Sequence, residues 1–365
     1  MYIIQSIKWN SNQVQFSFIW DIILGYIIAQ IYKNEIFYYY EKTTVHLALI
    51  GILGWMICLI IPNIAIPLLE LLSVDINSGF VKYNIFIFGI QDGIADEAAL
   101  FFKRNAGFAW EPGRFASLLI IALFLNLVRT KFKLSNNRNF WIILLAIIST
   151  QSTTGYISSI IITFIYLYNK KRKTVIYGTI IAIPCILLLL SLPFMGEKIA
   201  DLWITEDRNE EILNKFDYIT NKKEEVIIPQ RFDGLLYESL NFIQEPILGY
   251  GRPENSFIHQ LFNGNLILYN GVLKIFSVFG IIIGILYYLM LIKGSSYYTK
   301  INQIKGKYSL FLVFFIINIS YYFIYEPIFL SMFFLPYIIN IKFNERINNC
   351  RTIPRRNIAL SKTNL

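Results

Sequence analysis

Apolar runs long enough to cross a bilayer recur along the whole chain, and no other feature limits its fold so sharply. They fall at 16–32, 44–69, 107–128, 140–168, 175–195, 269–292, 308–325 and 327–341. A helical span needs about 20 mostly apolar residues. Over half of the 365 residues are apolar and only 16% are charged, too much apolar surface for one soluble core. The bilayer must then act as part of the solvent, and every backbone group inside it has to be satisfied within the protein.

A net charge of +9 raises the question of a nucleic-acid partner. The placement of the charge argues against one. From residue 129 onward, basic residues gather in four blocks, at 129–138, 170–173, 293–307 and 342–362, with Glu345 the only acid among them. Each block adjoins an apolar run, as the positive-inside rule requires of cytoplasmic loops facing anionic lipid. The run at 140–168 has basic blocks at both ends, so a single helix would leave one block outside. Two short helices, 140–151 and 154–168, folded at a polar turn over Thr150–Gly155, keep both blocks inside. Such a turn needs protein or water around it to satisfy its backbone.

This reading gives an all-α, polytopic membrane protein of about nine spans, with its amino terminus outside and a cytoplasmic carboxyl terminus. The first span is the weakest, carrying Asp21 and Gln30. The expected organisation is membrane helices over 1–195, including an outward loop at 70–106, then a large extracytoplasmic loop at 196–268. Further membrane helices follow over 269–342, and a basic cytoplasmic tail occupies 343–365. From Gly196 to Glu245 the large loop has twelve acids and six bases, with Ile212, Leu213, Phe216 and Ile219 at helical spacing. That pattern predicts a partly helical cap. Cys58 and Cys185 lie in apolar runs and Cys350 in the basic tail, so no disulfide framework is indicated. His46 and His259 are too few and too far apart for a histidine metal site, and no metal or cofactor is expected. The first fifteen residues lack the pattern of a cleavable signal peptide.

Three stretches could carry chemistry. In the first, Arg104 precedes Gly107-Phe108-Ala109-Trp110-Glu111-Pro112-Gly113-Arg114 and a clean apolar run. Pro112 suits the first turn of a helix, Glu111 suits its electropositive start, and Trp110 suits a membrane interface. A capped helix start explains those three but not the two arginines. Arg114 lies within the apolar run, where charge is costly and usually faces a partner or a polar cavity. It can pair with Glu111 three residues back, line an anion-binding cavity with Arg104, or do both. In the second stretch, Arg231 opens an amphipathic segment through Glu238 to Pro246, and Gly249 and Gly251 then allow a tight turn before Arg252. A surface helix with solvated charges is the plainer account. The third stretch is Asn255-Ser256-Phe257-Ile258-His259, whose imidazole could serve as a general base or simply sit in a loop.

Several of these runs resemble the O-antigen polymerase and ligase superfamily. They are the Arg104 to Gly113 run, the Thr150–Gly155 turn, and the Arg231 helix leading into Pro246-Ile247-Leu248-Gly249-Tyr250-Gly251. The fourth is Asn270-Gly271-Val272-Leu273 followed by Phe279-Gly280-Ile281-Ile282-Ile283-Gly284. The resemblance covers roughly residues 83 to 292. It implies a metal-independent membrane glycosyltransferase with a C-type (GT-C-like) fold, at the outer face of a bacterial inner membrane. Its substrates would be oligosaccharides on undecaprenyl pyrophosphate, with membrane lipid around it and a chain-length regulator protein as a possible partner. On that reading Arg104, Arg114, Arg231, Arg252 and Asn255 bind the pyrophosphate or sugar, because a departing lipid pyrophosphate needs cations at membrane depth. Glu111, Glu238 and His259 are the candidate bases. Ligases of the superfamily carry a histidine motif where this chain reads Tyr269-Asn270-Gly271, so a polymerase is favoured over a ligase. A flippase for the same lipid-linked sugars is the alternative from another class. It would be expected to show repeated halves, which this sequence lacks.

Overall fold

The computed structural model describes residues 5, 8, 16–73, 82–91, 103–170, 231–261, 268, 270–321, 323 and 325–338. The run expected at 175–195, the part of the large loop before residue 231 and the basic tail lie outside these residues.

The chain is mostly helical. Helices α1 (Phe16–Tyr32), α2 (Glu35–Ile60), α3 (Pro62–Leu72), α4 (Pro112–Arg129), α5 (Arg138–Thr150) and α6 (Thr153–Tyr168) come first. The later ones are α7 (Arg231–Gln244), the short α8 (Phe257–Leu261), α9 (Gly271–Ile301), α10 (Ser309–Ser320) and α11 (Pro327–Ile338). Among the described residues, three helices, α2, α4 and α9, are long and apolar enough to cross a membrane. α1, α3, α5, α6, α10 and α11 are shorter apolar helices.

Local chemistry explains where the apolar runs break. The run at 140–168 divides at Gln151, which takes a left-handed φ of 49°, and Ser152 caps α6 by accepting from the Gly155 N–H at 3.4 Å. The run expected as one span at 44–69 divides at Ile61, with φ −129° and ψ 59°. Pro62 disfavours helical backbone in the residue before it but fits the first turn of the next helix.

At the centre stands α4, packed against α2, α5, α6 and α10. Phe115, Leu119, Ile120 and Phe124 on it are fully buried. By contrast, α2 exposes Leu53, Met56, Ile57 and Ile60, a face suited to apolar surroundings. Between lipid-embedded helices the hydrophobic effect gives little drive, so close packing through small residues must supply it. A Cβ added at Gly155 would stand 3.0 Å from the Ala116 Cβ, so α4 and α6 meet through small residues. Gly25 does the same for α1 and α11, where a Cβ would come within 2.9 Å of the Leu330 Cβ.

One buried ionic network fixes α2 to the other end of α4. Glu41 is 2% exposed and accepts from Arg129 Nε at 2.6 Å and Nη2 at 2.7 Å. Asn126 Nδ2 adds a third bond at 2.7 Å, and Asn137 Nδ2 holds Asn126 Oδ1 at 2.7 Å. Arg129, which opens the first of the four basic blocks, is thus also an internal ion-pair partner.

A small antiparallel sheet departs from the all-α expectation. β1 (Lys82–Ile85) and β2 (Phe88–Gln91) form a hairpin, and β3 (Arg104–Asn105) adds to β2 with Gln91 opposite Arg104. The apolar patch Tyr83–Ile90 is therefore a hairpin that buries Phe88 and Ile90. Two indoles hold it down: Trp110 Nε1 donates to the Ile85 carbonyl at 3.0 Å, and Trp55 Nε1 to the Lys103 carbonyl at 2.6 Å. Trp110 is a tie between the hairpin and the start of α4, a role its placement before Pro112 does not reveal.

Candidate functional site

The loop after α7 is joined to the middle of α9 by an exchange of hydrogen bonds. Within an unbroken helix the Ile281 N–H would donate to the Ser277 carbonyl. Here Ile281 N donates to the Pro246 carbonyl at 2.8 Å, while Ser277 O accepts from Tyr250 N at 2.8 Å and Val278 O from Gly251 N at 2.9 Å. The loop thereby supplies partners for three backbone groups that the helix gives up at the break. Gly280 makes the exchange possible: it has φ 75° and ψ 175°, and a Cβ there would collide with the Ile247 carbonyl. The Gln5 side chain caps the joint, donating to Leu248 O and to Val278 O, the latter at 3.0 Å. The Pro246–Gly251 and Phe279–Gly284 runs singled out in the sequence thus form one structural unit.

Above this joint lies a cavity of about 190 Å³. Glu238 and Asn241 line it from α7, Tyr250 and Arg252 from the loop, His259 from α8, and Lys274 and Ser277 from α9. Glu238 is 3% exposed. Its Oε2 accepts from Ser277 Oγ at 2.5 Å and from Asn241 Nδ2 at 3.4 Å. Burial pushes its carboxyl above the usual glutamate range, while the Lys274 charge and the hydrogen bonds from Ser277 and Asn241 pull back part of the way. A buried, perturbed carboxyl in a cavity with cations nearby is the arrangement found at many sites of acid–base chemistry.

The candidate residues divide as follows. Glu238, Arg252 and His259 share the cavity. Asn255 lies beside it as a turn former, its Nδ2 donating to the Tyr250 carbonyl at 3.3 Å. Arg231 opens α7. Arg104 serves the α5–α6 turn, with Nε donating to the Thr150 carbonyl at 3.2 Å, while its neighbour Asn105 donates to Ser149 Oγ at 2.8 Å. The protein surroundings expected around that turn are therefore supplied partly by these two residues, and by Ser320 Oγ, 2.5 Å from Thr154 Oγ1.

Arg114 pairs differently from the expectation. Its Nη2 is 2.5 Å from Glu326 Oε1, and the Glu111 carboxylate accepts instead from the Tyr321 hydroxyl. The reason is placement: Arg114 is exposed on α4 and turns toward the segment between α10 and α11, which carries Glu326. Asp21 of α1 lies within electrostatic reach of the same Glu326. An aromatic group of Phe18, Phe279 and Tyr325, with centroids 4.8 to 6.4 Å apart, connects this ion pair to the Gly280 joint.

Lys274, Ser277, Asn241, Tyr321 and Glu326 were not evident as site residues in the sequence. Asn241, three residues after Glu238 on an amphipathic helix, carried a usable signal, since i and i+3 share a face. Lys274 and Ser277 sit inside an apolar run and carried none. Among the described residues, no group of three His, Cys, Asp or Glu side chains could hold a metal ion. No protein-family model, curated protein or solved structure matches the chain.

Proposed function

We propose that this protein is a membrane glycosyltransferase that polymerises oligosaccharide units carried on undecaprenyl pyrophosphate. On this reading the chain spans the membrane about nine times with a GT-C-like fold. It works at the outer face of a bacterial inner membrane, and its product is a surface polysaccharide. The observation that carries the proposal is the shared cavity. Glu238 and Arg252 of the second stretch and His259 of the third line one space of about 190 Å³ at the head of α9, together with Lys274 and Ser277 of that helix.

The chemistry assigns each group a task. Glu238 takes the proton from the acceptor sugar hydroxyl as that oxygen forms its bond to the anomeric carbon of the donor. The anomeric carbon–oxygen bond to the pyrophosphate breaks at the same centre, and the electron pair leaves with the lipid pyrophosphate. Arg252, with Lys274 nearby, stabilises charge on that leaving group. His259 is the second candidate for the base.

Reconstituted protein given undecaprenyl-pyrophosphate repeat units tests this. Ladder formation with release of lipid pyrophosphate is the expected result, and Arg252→Ala abolishes the ladder without loss of protein from the membrane. Transfer only to a lipid A–core acceptor would indicate a ligase instead. Translocation of the lipid-linked sugar with no transfer product would overturn the enzyme reading.

A further inference from the structure

The two hydrogen bonds to Glu238 converge on one oxygen. Ser277 Oγ and Asn241 Nδ2 both donate to Oε2. Among the described residues no hydrogen bond is made to Oε1, and Glu238 lines the cavity. An ionised carboxylate has about four acceptor sites over its two oxygens, so two donors on Oε2 leave those of Oε1 open to another partner. Here the donors are concentrated, and they are themselves fixed. Asn241 is 1% exposed and its Oδ1 accepts from the Ile258 N–H of α8 at 3.0 Å. Ser277 is 2% exposed, one turn before the Gly280 break, and its carbonyl is held by Tyr250 N. Helices α7, α8 and α9 together therefore fix the direction of one carboxyl group.

The cavity has room for more than solvation. At about 30 Å³ per liquid water, 190 Å³ holds on the order of six waters or one small polar ligand.

We propose that Ser277 and Asn241 are positioning residues, which hold Glu238 by Oε2 so that Oε1 faces the cavity as the proton acceptor. The proposal rests on the transferase reading for the identity of the proton donor, a substrate hydroxyl, but not for the geometry. Among the described residues, the polar groups that line the cavity with Glu238 and Asn241 are Lys274 and Ser277 of α9, His259 of α8, Ser256 just before it, and Tyr250 and Arg252 of the loop. Glu245 at the end of α7 pairs with Lys8 at 2.5 Å.

The test is an infrared titration of the full-length protein in lipid, with the Glu238 carboxyl band identified by its loss in Glu238→Gln. Ser277→Ala removes the stronger bond to the ionised oxygen and raises the titration midpoint by about one pH unit. Asn241→Ala raises it less, since its bond is longer, and Ser277→Thr restores the wild-type midpoint because it keeps the hydroxyl. The acidic limb of chain extension against pH moves upward by the same amount in Ser277→Ala. An unmoved midpoint in Ser277→Ala, or no rescue by threonine, overturns the positioning role. A midpoint that moves as expected while wild-type protein extends no chain counts against the transferase reading and supports the positioning of Glu238.

Discussion

Arg114 and Glu326 stand 212 positions apart in the chain, yet their Nη2 and Oε1 atoms lie 2.5 Å from one another. The pair joins the start of α4 to the segment between α10 and α11. Side-chain exposures of 49% and 32% leave it partly screened, so its worth is modest. A double-mutant cycle with Arg114→Gln and Glu326→Gln, read by thermal unfolding in detergent, is expected to give a coupling of about 0.2–1 kcal/mol. Strictly additive effects would show that the contact contributes nothing to stability.

Gly280 carries a larger burden. Alanine there would place its Cβ against the Ile247 carbonyl and adopt a φ of 75° that L side chains rarely take. The exchange of hydrogen bonds between the loop and α9 cannot survive both insults. Gly280→Ala should cost at least about 1–3 kcal/mol. Hydrogen exchange provides the local measurement, with the amides of Tyr250, Gly251 and Ile281 losing protection before those of α4. Unchanged protection at all three would mean the joint tolerates a side chain.

How much of this was legible in the sequence follows from the range of the forces involved. Apolar runs and polar breaks are local signals, so the hairpin at Gln151 and the helices around it could be read directly. The division at Pro62 was equally local and was obscured only because apolar residues continue on both sides. The hairpin at 82–91 was hidden by an apolar stretch too short to distinguish strand from helix by periodicity. The site was half visible. Glu238, Arg252 and His259 are polar residues in polar surroundings, and chemistry alone marks them as candidates. That they share a cavity with Lys274 and Ser277 rests on the loop joined to α9 at Gly280, and the partner of Arg114 proves to be Glu326, 212 positions away. Those are tertiary facts with no counterpart in local spacing.

Glu41 and Arg129 form an ion pair in which Glu41 is 2% exposed and accepts four hydrogen bonds, from Arg129 Nε and Nη2, Asn126 Nδ2 and Asn139 Nδ2. Removing Arg129 leaves the buried Glu41 charge with its asparagine donors alone, and because Arg129 is 42% exposed the cost should fall below the ~3–5 kcal/mol of a fully buried pair. Arg129→Ala should therefore lower the unfolding temperature and reduce the monodisperse fraction in detergent. Replacing both members, with Glu41→Met and Arg129→Met, should recover much of the loss, since a well-packed apolar pair avoids the desolvation cost. A double variant as unstable as Arg129→Ala would show that the asparagines Asn126 and Asn137 depend on the carboxylate itself.

The protonation of Glu238 gives a prediction whose direction is set by burial. Its folded-state pKa lies above the ordinary glutamate value, because burial outweighs the help from Lys274, Ser277 and Asn241. Between about pH 4.3, where an unfolded glutamate titrates, and the raised folded value, the folded protein holds one more proton than the unfolded chain. Protonated Glu238 therefore contributes stability at low pH, and that contribution drains away as pH rises through the folded pKa. Glu238→Gln has no proton to lose and keeps an acceptor for Ser277. Relative to wild type, the glutamine variant should become progressively more stable from about pH 4.3 upward, and the difference should level off once the wild-type carboxyl is ionised. Paired unfolding scans across that range measure the difference and cancel the pH dependence of every other group. A difference that narrows or reverses with rising pH would mean that Lys274 and the hydrogen bonds outweigh burial, leaving Glu238 ionised and stabilising in the folded protein.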